Sequence, residues 1–257
     1  MTAVQAVREA LRVLRAREGG DRLITKGGLD LATGTDLRSQ EVIRDLLERA
    51  HPEHAFVGEE SGADVAPRSR SYWLVDPLCG TRNFAYRIPL YSVNVALVED
   101  HQVTVAAVGD GAYGDVWVAS HGQGAWLAEN GHLERARASD SSAMVVFDRG
   151  RPGGPAADKA VRVIAAALGD PRWEVRTLGS SLDLAYLAAG RLAAVWHFSR
   201  IPPLHFAAGT LLATEAGAVV TDERGAPWTL AASEGLMAAS TPAVHVAMRG
   251  LLTDPRP

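Results

Sequence analysis

Six short runs of β-type residues lie between Ala55 and Leu127, and they constrain the fold more than anything else in the chain. They are Ala55–Val57, Trp73–Val75, Tyr91–Val98, Val103–Val108, Val116–Ala119 and Ala125–Leu127, divided by Gly, Asp and Asn. Runs of this length punctuated by turn residues read as strands, and six in succession predict one extended sheet. Ahead of them the period is helical. Val4, Val7, Leu11 and Leu14 share one face of a helix that Gly19 and Gly20 end, and Val42, Ile43, Leu46 and Leu47 mark a second. Asp36 stands at the start of that second helix as a candidate N-cap, where its carboxylate would accept a free backbone N–H.

From about residue 138 strands and helices alternate. Met144–Phe147, Trp173–Thr177, Ala193–Trp196 and Ala218–Thr221 read as strands, and Ala156–Leu168, Ser181–Ala189 and Phe206–Glu215 as helices. Such alternation predicts a layered α/β half stacked on the first. No low-complexity tract or flexible linker divides them. Residues 1–137 and 138–257 therefore read as two halves meeting at a packed seam.

Charge and composition narrow the partners. Lys+Arg 26 against Asp+Glu 30 gives the 257-residue chain a net charge of −4, so no basic field exists to hold nucleic acid. The apolar stretch Phe206–Val220 is broken by Gly209, Thr210, Thr214, Glu215 and Gly217, short of the ~20 residues a membrane span needs. The first twenty residues carry Arg and Glu with no apolar signal core. A single cysteine excludes an internal disulfide and suits a reducing compartment. The expectation is a cytoplasmic protein acting on a small molecule.

The segment Trp73-Leu-Val-Asp-Pro-Leu-Cys-Gly-Thr-Arg-Asn-Phe84 carries the chemistry. An apolar strand ends in Asp76-Pro77, and Gly80-Thr81 opens a short helix whose unpaired N–H groups favour an anion. Asp76 can hold a cation against that anion, or simply cap the corner. Taken singly, Glu59-Glu60 reads as a solvated turn and His205 as a cap or packed side chain. Trp117 and Trp126 read as core, and Arg82 as solvated. His51, His54, His101, His121, His132 and His245 show no spacing that suggests a metal site.

Together, the order Gly58-Glu-Glu-Ser61, Asp76-Pro-Leu-Cys-Gly-Thr-Arg-Asn-Phe84, His205-Phe-Ala-Ala-Gly209 and Glu215-Ala-Gly217 resembles the inositol monophosphatase family of Mg²⁺-dependent phosphate monoesterases. Lys26, Asp30–Asp36 and Gly122–Trp126 occupy family positions as well. The resemblance implies a five-layer αβαβα sandwich with the active site between the halves, often assembled as a homodimer. It implies that Glu59, Asp76, the Leu78 carbonyl and Thr81 bind or activate a first Mg²⁺ and its water, with Asp36 orienting the Thr81 hydroxyl. Gly80 and Thr81 amides, with Lys26 and Ser180, would receive a phosphate. His197 stands where many members carry a substrate-binding Glu.

The second metal position departs from the family. Of its three carboxylates only Asp76 remains, because Cys79 and His205 replace the others. Mg²⁺ prefers oxygen and gains nothing from a thiol or imidazole, so ordinary turnover is expected to fall steeply. The leading reading is a Cys79–His205 dyad, oriented by Asp76 or Asp36, performing acyl-transfer, amide- or thioester-cleaving or condensation chemistry. The helix start would lower the thiol pKa, the Gly80–Thr81 amides would form an oxyanion hole, and no metal would be needed. One alternative is Mg²⁺-dependent hydrolysis of an inositol, sugar or nucleotide monophosphate at the first metal site, with Zn²⁺ acceptable at Asp76, Cys79 and His205. Another is non-catalytic binding of a phosphorylated ligand or a partner protein.

Overall fold

The helical period at the start of the chain folds as α1 (Thr2–Ala16), which buries Val4, Val7, Leu11 and Leu14. A hairpin of β1 (Ile24–Gly27) and β2 (Asp30–Ala32) leads into α2 (Gly34–Ala50). Thr33, not Asp36, caps α2. The Thr33 hydroxyl accepts from the Asp36 N–H, while the Asp36 carboxylate accepts from the Thr33 N–H at 2.7 Å. This reciprocal capping box sets Asp36 one turn inside the helix, and the buried face opens polar, with Thr35, Asp36, Ser39 and Gln40, before Ile43 and Leu47. The computed structural model describes residues 2–20, 22–27, 30–61, 69–129, 132–148, 154–199, 202–231 and 235–252.

The six runs become β3 (Ala55–Gly58), β4 (Ser71–Cys79), β5 (Ser92–Glu99), β6 (Gln102–Asp110), β7 (Val116–Ser120) and β8 (Gly124–Glu129), with α3 (Thr81–Ala85) after β4. A further strand, β9 (His132–Ala136), completes a seven-stranded sheet in chain order. Only β3 and β4 pair in parallel. Four of the five β9 residues are exposed, so that strand lacks the alternation that reveals its neighbours.

The second half contributes β10 (Met144–Asp148), α4 (Gly154–Leu168), β11 (Glu174–Arg176), α5 (Leu182–Ala188), β12 (Ala194–His197), α6 (Pro203–Glu215), β13 (Val219–Asp222), β14 (Leu236–Ala239) and α7 (Pro242–Gly250). Its sheet runs β11-β10-β12-β14-β13, with β14 antiparallel to both neighbours.

Packing sets five layers. α1 and α2 cover one face of the large sheet, where Val7, Leu14 and Ile43 meet Trp73, Val75 and Val95. α5 and α6 lie between the sheets. Leu182 and Leu212 pack with Leu74, Ala96 and Trp117, and Leu184 and Phe206 with Val146, Val195 and Leu236. α4 and α7 close the far side on Val145, Trp196 and Met237. The fold is the expected αβαβα sandwich. α6 is apolar all round because it is buried between two sheets, and Gly209 lets it approach α5, since a Cβ there would meet Leu184 Cβ at 2.7 Å. Among the described residues no helix is long and apolar enough to cross a membrane. Trp117 is core as expected, but Trp126 is only half-buried, with the Arg135 guanidinium 5.1 Å from its ring centre.

Leu212 is fully buried in the middle layer. Leu212→Ala is expected to cost about 2–5 kcal/mol through lost burial and a residual cavity. In urea unfolding this reads as a lower midpoint with an unchanged slope.

Candidate active site

The site begins where β4 loses its register. Asp76 pairs with Asn94, then the ladder slips and Cys79 pairs with Ser92. Pro77 lies in the slip and has no N–H to give. Ser39 at the polar start of α2 donates to the Pro77 carbonyl at 2.9 Å. Gly80 follows at φ 92°, and a Cβ there would meet the Leu90 carbonyl oxygen at 2.8 Å. Conformation and space both demand glycine.

Two sets of groups converge on this bend. In the first, the Thr81 hydroxyl shares its hydrogen between Asp36 Oδ1 at 3.2 Å and the Leu78 carbonyl at 3.1 Å. Glu59 opens the 3₁₀ turn after β3, whose last residue Gly58 lies opposite Val75, so the chain at Glu59 leaves the sheet beside the Asp76 end of β4. In the second, fully buried Asp76 meets His205 from the first turn of α6, with Oδ2 2.6 Å from Nδ1. Ligating atoms of Asp76, Cys79 and His205 all lie within 4.8 Å of one another. The Ser181 N–H donates to Cys79 Sγ at 3.2 Å, and the Ser180 hydroxyl to the Cys79 carbonyl at 3.2 Å.

The electrostatics run against an activated thiolate. Burial pushes the Cys79 pKa up and Asp76 adds to the rise, which reverses the expected lowering by the helix start. α3 spans only five residues. Burial opposes charge on His205, yet the Asp76 carboxylate overrides it and holds the imidazole pKa well above its usual range. A protonated imidazole cannot act as the base that a Cys–His dyad needs.

Asp36 is pushed up to about 6 from the ordinary 3.8, chiefly by burial and against its bonds from Thr33. The folded chain thus holds this proton more tightly than the unfolded chain. The resulting stability is full below pH 3.8 and is lost as pH rises through about 6. Metal-free wild type is expected to lose about 2 kcal/mol relative to Asp36→Asn between pH 4 and 7, measured by urea unfolding.

The other expected residues differ in their placement. His197 is not on an open pocket wall. It is 3% exposed, with Nε2 2.9 Å from Asp183 Oδ2 and its ring against Phe206. Lys26 lies on β1, and its side chain is outside the described residues. Ser180 is 5% exposed and braces the loop. Sequence reasoning missed Ser181 and Asp183, although the run Gly179-Ser-Ser-Leu-Asp183 at a helix start was a signal. The Glu215 carboxylate takes the Gly122 and Gly124 N–H groups at 2.7 Å each, so those motif residues tie α6 to the β7–β8 turn.

Comparison with known proteins agrees with this fold. The sequence model of the inositol monophosphatase family matches residues 1–252. An inositol-1-monophosphatase of Rhizobium meliloti is 33% identical, covering 99% of this chain and 96% of its own. A Nus factor SuhB of Salmonella typhimurium is 33% identical over 87% of this chain and 84% of its own. The crystal structure of the extragenic suppressor protein suhB from Bartonella henselae superposes with a TM-score of 0.88 at 26% identity, covering 99% of this chain and 98% of that one. Motif order, layer order and these matches lead to one assignment: the chain belongs to the inositol monophosphatase family.

Proposed function

We propose that this protein hydrolyses a small phosphate monoester in a metal-dependent reaction at the end of β4. The observation that carries the reading is the Thr81 hydroxyl held between Asp36 and the Leu78 carbonyl. Asp76, Glu59, the Leu78 carbonyl and Thr81 are hard oxygen donors of the kind Mg²⁺ takes. Bound there, Mg²⁺ would supply a Lewis acid and lower the pKa of a water. Thr81 would orient that water, its own hydroxyl hydrogen being held by Asp36 and the Leu78 carbonyl. The Gly80 and Thr81 amides, at the start of α3, would receive the anion.

Asp76, Cys79 and His205 offer one oxygen, one sulfur and one nitrogen. That donor set fits Zn²⁺ and disfavours Mg²⁺. Loading it requires the thiol and imidazole to lose their protons, so affinity rises with pH. We place the protein in the cytoplasm as a homodimer, with a small anionic substrate and neither membrane nor nucleic acid as partner.

The covalent reading keeps one support, the closeness of Cys79 to His205. The raised thiol and protonated imidazole argue against it. Non-catalytic binding draws on the relatives named Nus factor SuhB. One assay separates the three. Phosphate release is measured from inositol, sugar and nucleotide monophosphates with Mg²⁺, Mn²⁺ or Zn²⁺, in wild type and Cys79→Ala. Release from at least one substrate, ended by chelator and retained in part by Cys79→Ala, is expected. No release with any metal, together with rapid alkylation of Cys79, would transfer the case to covalent chemistry. Ligand binding without turnover and with an inert thiol would leave a binding protein.

A further inference from the structure

The turn between α2 and β3 gathers a second set of ligating atoms. His51 is the C-cap of α2, with its N–H on the Leu47 carbonyl, and Glu53 and His54 follow before β3 begins. Glu53 Oε1 lies 3.5 Å from His51 Nδ1 and 3.4 Å from His54 Nε2. One such atom from each residue lies within 4.8 Å of the others. Metal–ligand bonds of ~2.0–2.2 Å at tetrahedral angles set neighbouring donors ~3.3–3.6 Å apart, so both measured separations already suit a shared ion.

The surroundings hold the two rings in place. The two imidazoles lie parallel, 5.3 Å apart at 7°, and both pack against Trp73 at 5.7 and 5.9 Å. His51 Nε2 is 3.2 Å from the Thr2 hydroxyl. Donation of the Nε2–H to that hydroxyl leaves Nδ1 bare and turned toward Glu53, the arrangement that outer partners give to metal-binding histidines. The His54 side chain is 13% exposed and that of Glu53 62%, so a fourth coordination place opens to solvent.

We infer that His51, Glu53 and His54 form a transition-metal site of the Zn²⁺, Ni²⁺ or Cu²⁺ class, separate from the cluster at Asp76. Two imidazoles and one carboxylate suit these ions and not Mg²⁺. The position gives the site a purpose. α2 carries Asp36 at its start and β3 delivers Glu59 at its end, while this turn joins the far ends of the same two elements. An ion here pins them together, and the inference stands independently of the hydrolase reading.

The test is Zn²⁺ titration calorimetry on the full chain in excess Mg²⁺, with Cys79→Ala/His205→Ala silencing the other soft-donor cluster. One Zn²⁺ equivalent is expected to remain in that variant. His51→Gln/His54→Gln should weaken it by at least about a hundredfold and Thr2→Ala by about tenfold. Glu53→Gln, at an exposed position, tests the ligand set without burdening the fold. Cu²⁺ supplies an independent readout through saturable quenching of Trp73, one of six tryptophans, absent in Trp73→Phe and in the histidine pair variant. The inference is overturned if the histidine pair variant and Glu53→Gln bind as many Zn²⁺ equivalents, as tightly, as wild type.

Discussion

Replacing Cys79 and His205 together by aspartate is expected to raise Mg²⁺-dependent phosphate release roughly ten- to thousandfold. Both positions already direct their ligating atoms toward Asp76, so two carboxylates there would form an oxygen-only pocket. A second ion stabilising the leaving oxygen supplies several kcal/mol of transition-state charge stabilisation, and each 1.36 kcal/mol is a tenfold change in rate. The gain should appear with Mg²⁺ and reverse with Zn²⁺, because the soft donors are gone. Without metal, three carboxylates crowd a buried spot and disfavour their charged forms. The variant should therefore melt below wild type in chelator and recover in Mg²⁺. Mg²⁺ bound by the variant with turnover unchanged would mean that the second position does not limit the reaction.

On the hydrolase reading proposed above, Asp76→Asn should reduce phosphate release by at least about a thousandfold, since its carboxylate would serve both ion positions and several kcal/mol of charge stabilisation would depend on it. A second consequence separates this loss from simple unfolding. Asp76 is the carboxylate that keeps His205 protonated against burial. With an amide in its place burial is opposed by Cys79 alone, so the imidazole pKa should fall from its wild-type position. Histidine NMR of the metal-free variant reads that change directly. Wild-type turnover in Asp76→Asn would move the chemistry away from the end of β4.

The sheet was legible because its strands combine apolar residues with Gly, Asp and Asn at their ends, as in Val103–Val108 with Gly109-Asp110 after it. β9 was not, since nearly all of it faces solvent. β14, fully buried in the second sheet, left the short run Leu-Met-Ala-Ala, which carries no period. At the site, motif order located Asp76, Thr81, Cys79 and His205, and the structure brings the last two to Asp76. What sequence could not supply was sign. The thiol pKa depends on what surrounds it in space, and here burial raises it with Asp76 adding to the rise. Asp36 looked like a cap because it precedes an apolar stripe, whereas the Thr33–Asp36 spacing already held the capping box. His51 and His54 look unrelated by spacing, and only the turn after α2 brings their ligating atoms to one carboxylate.

α6 has a division of labour along its length. Glu215 at its last residue is fastened to the β7–β8 turn, its sides are locked between two sheets, and His205 stands in its first turn. At ~1.5 Å per residue these ends are ~15 Å apart. The helix behaves as a shaft clamped along its length with an exchangeable tip. Substitution at the tip would change the donor set beside Asp76 and leave the clamp untouched, so a frame of this kind can vary its chemistry without varying its packing.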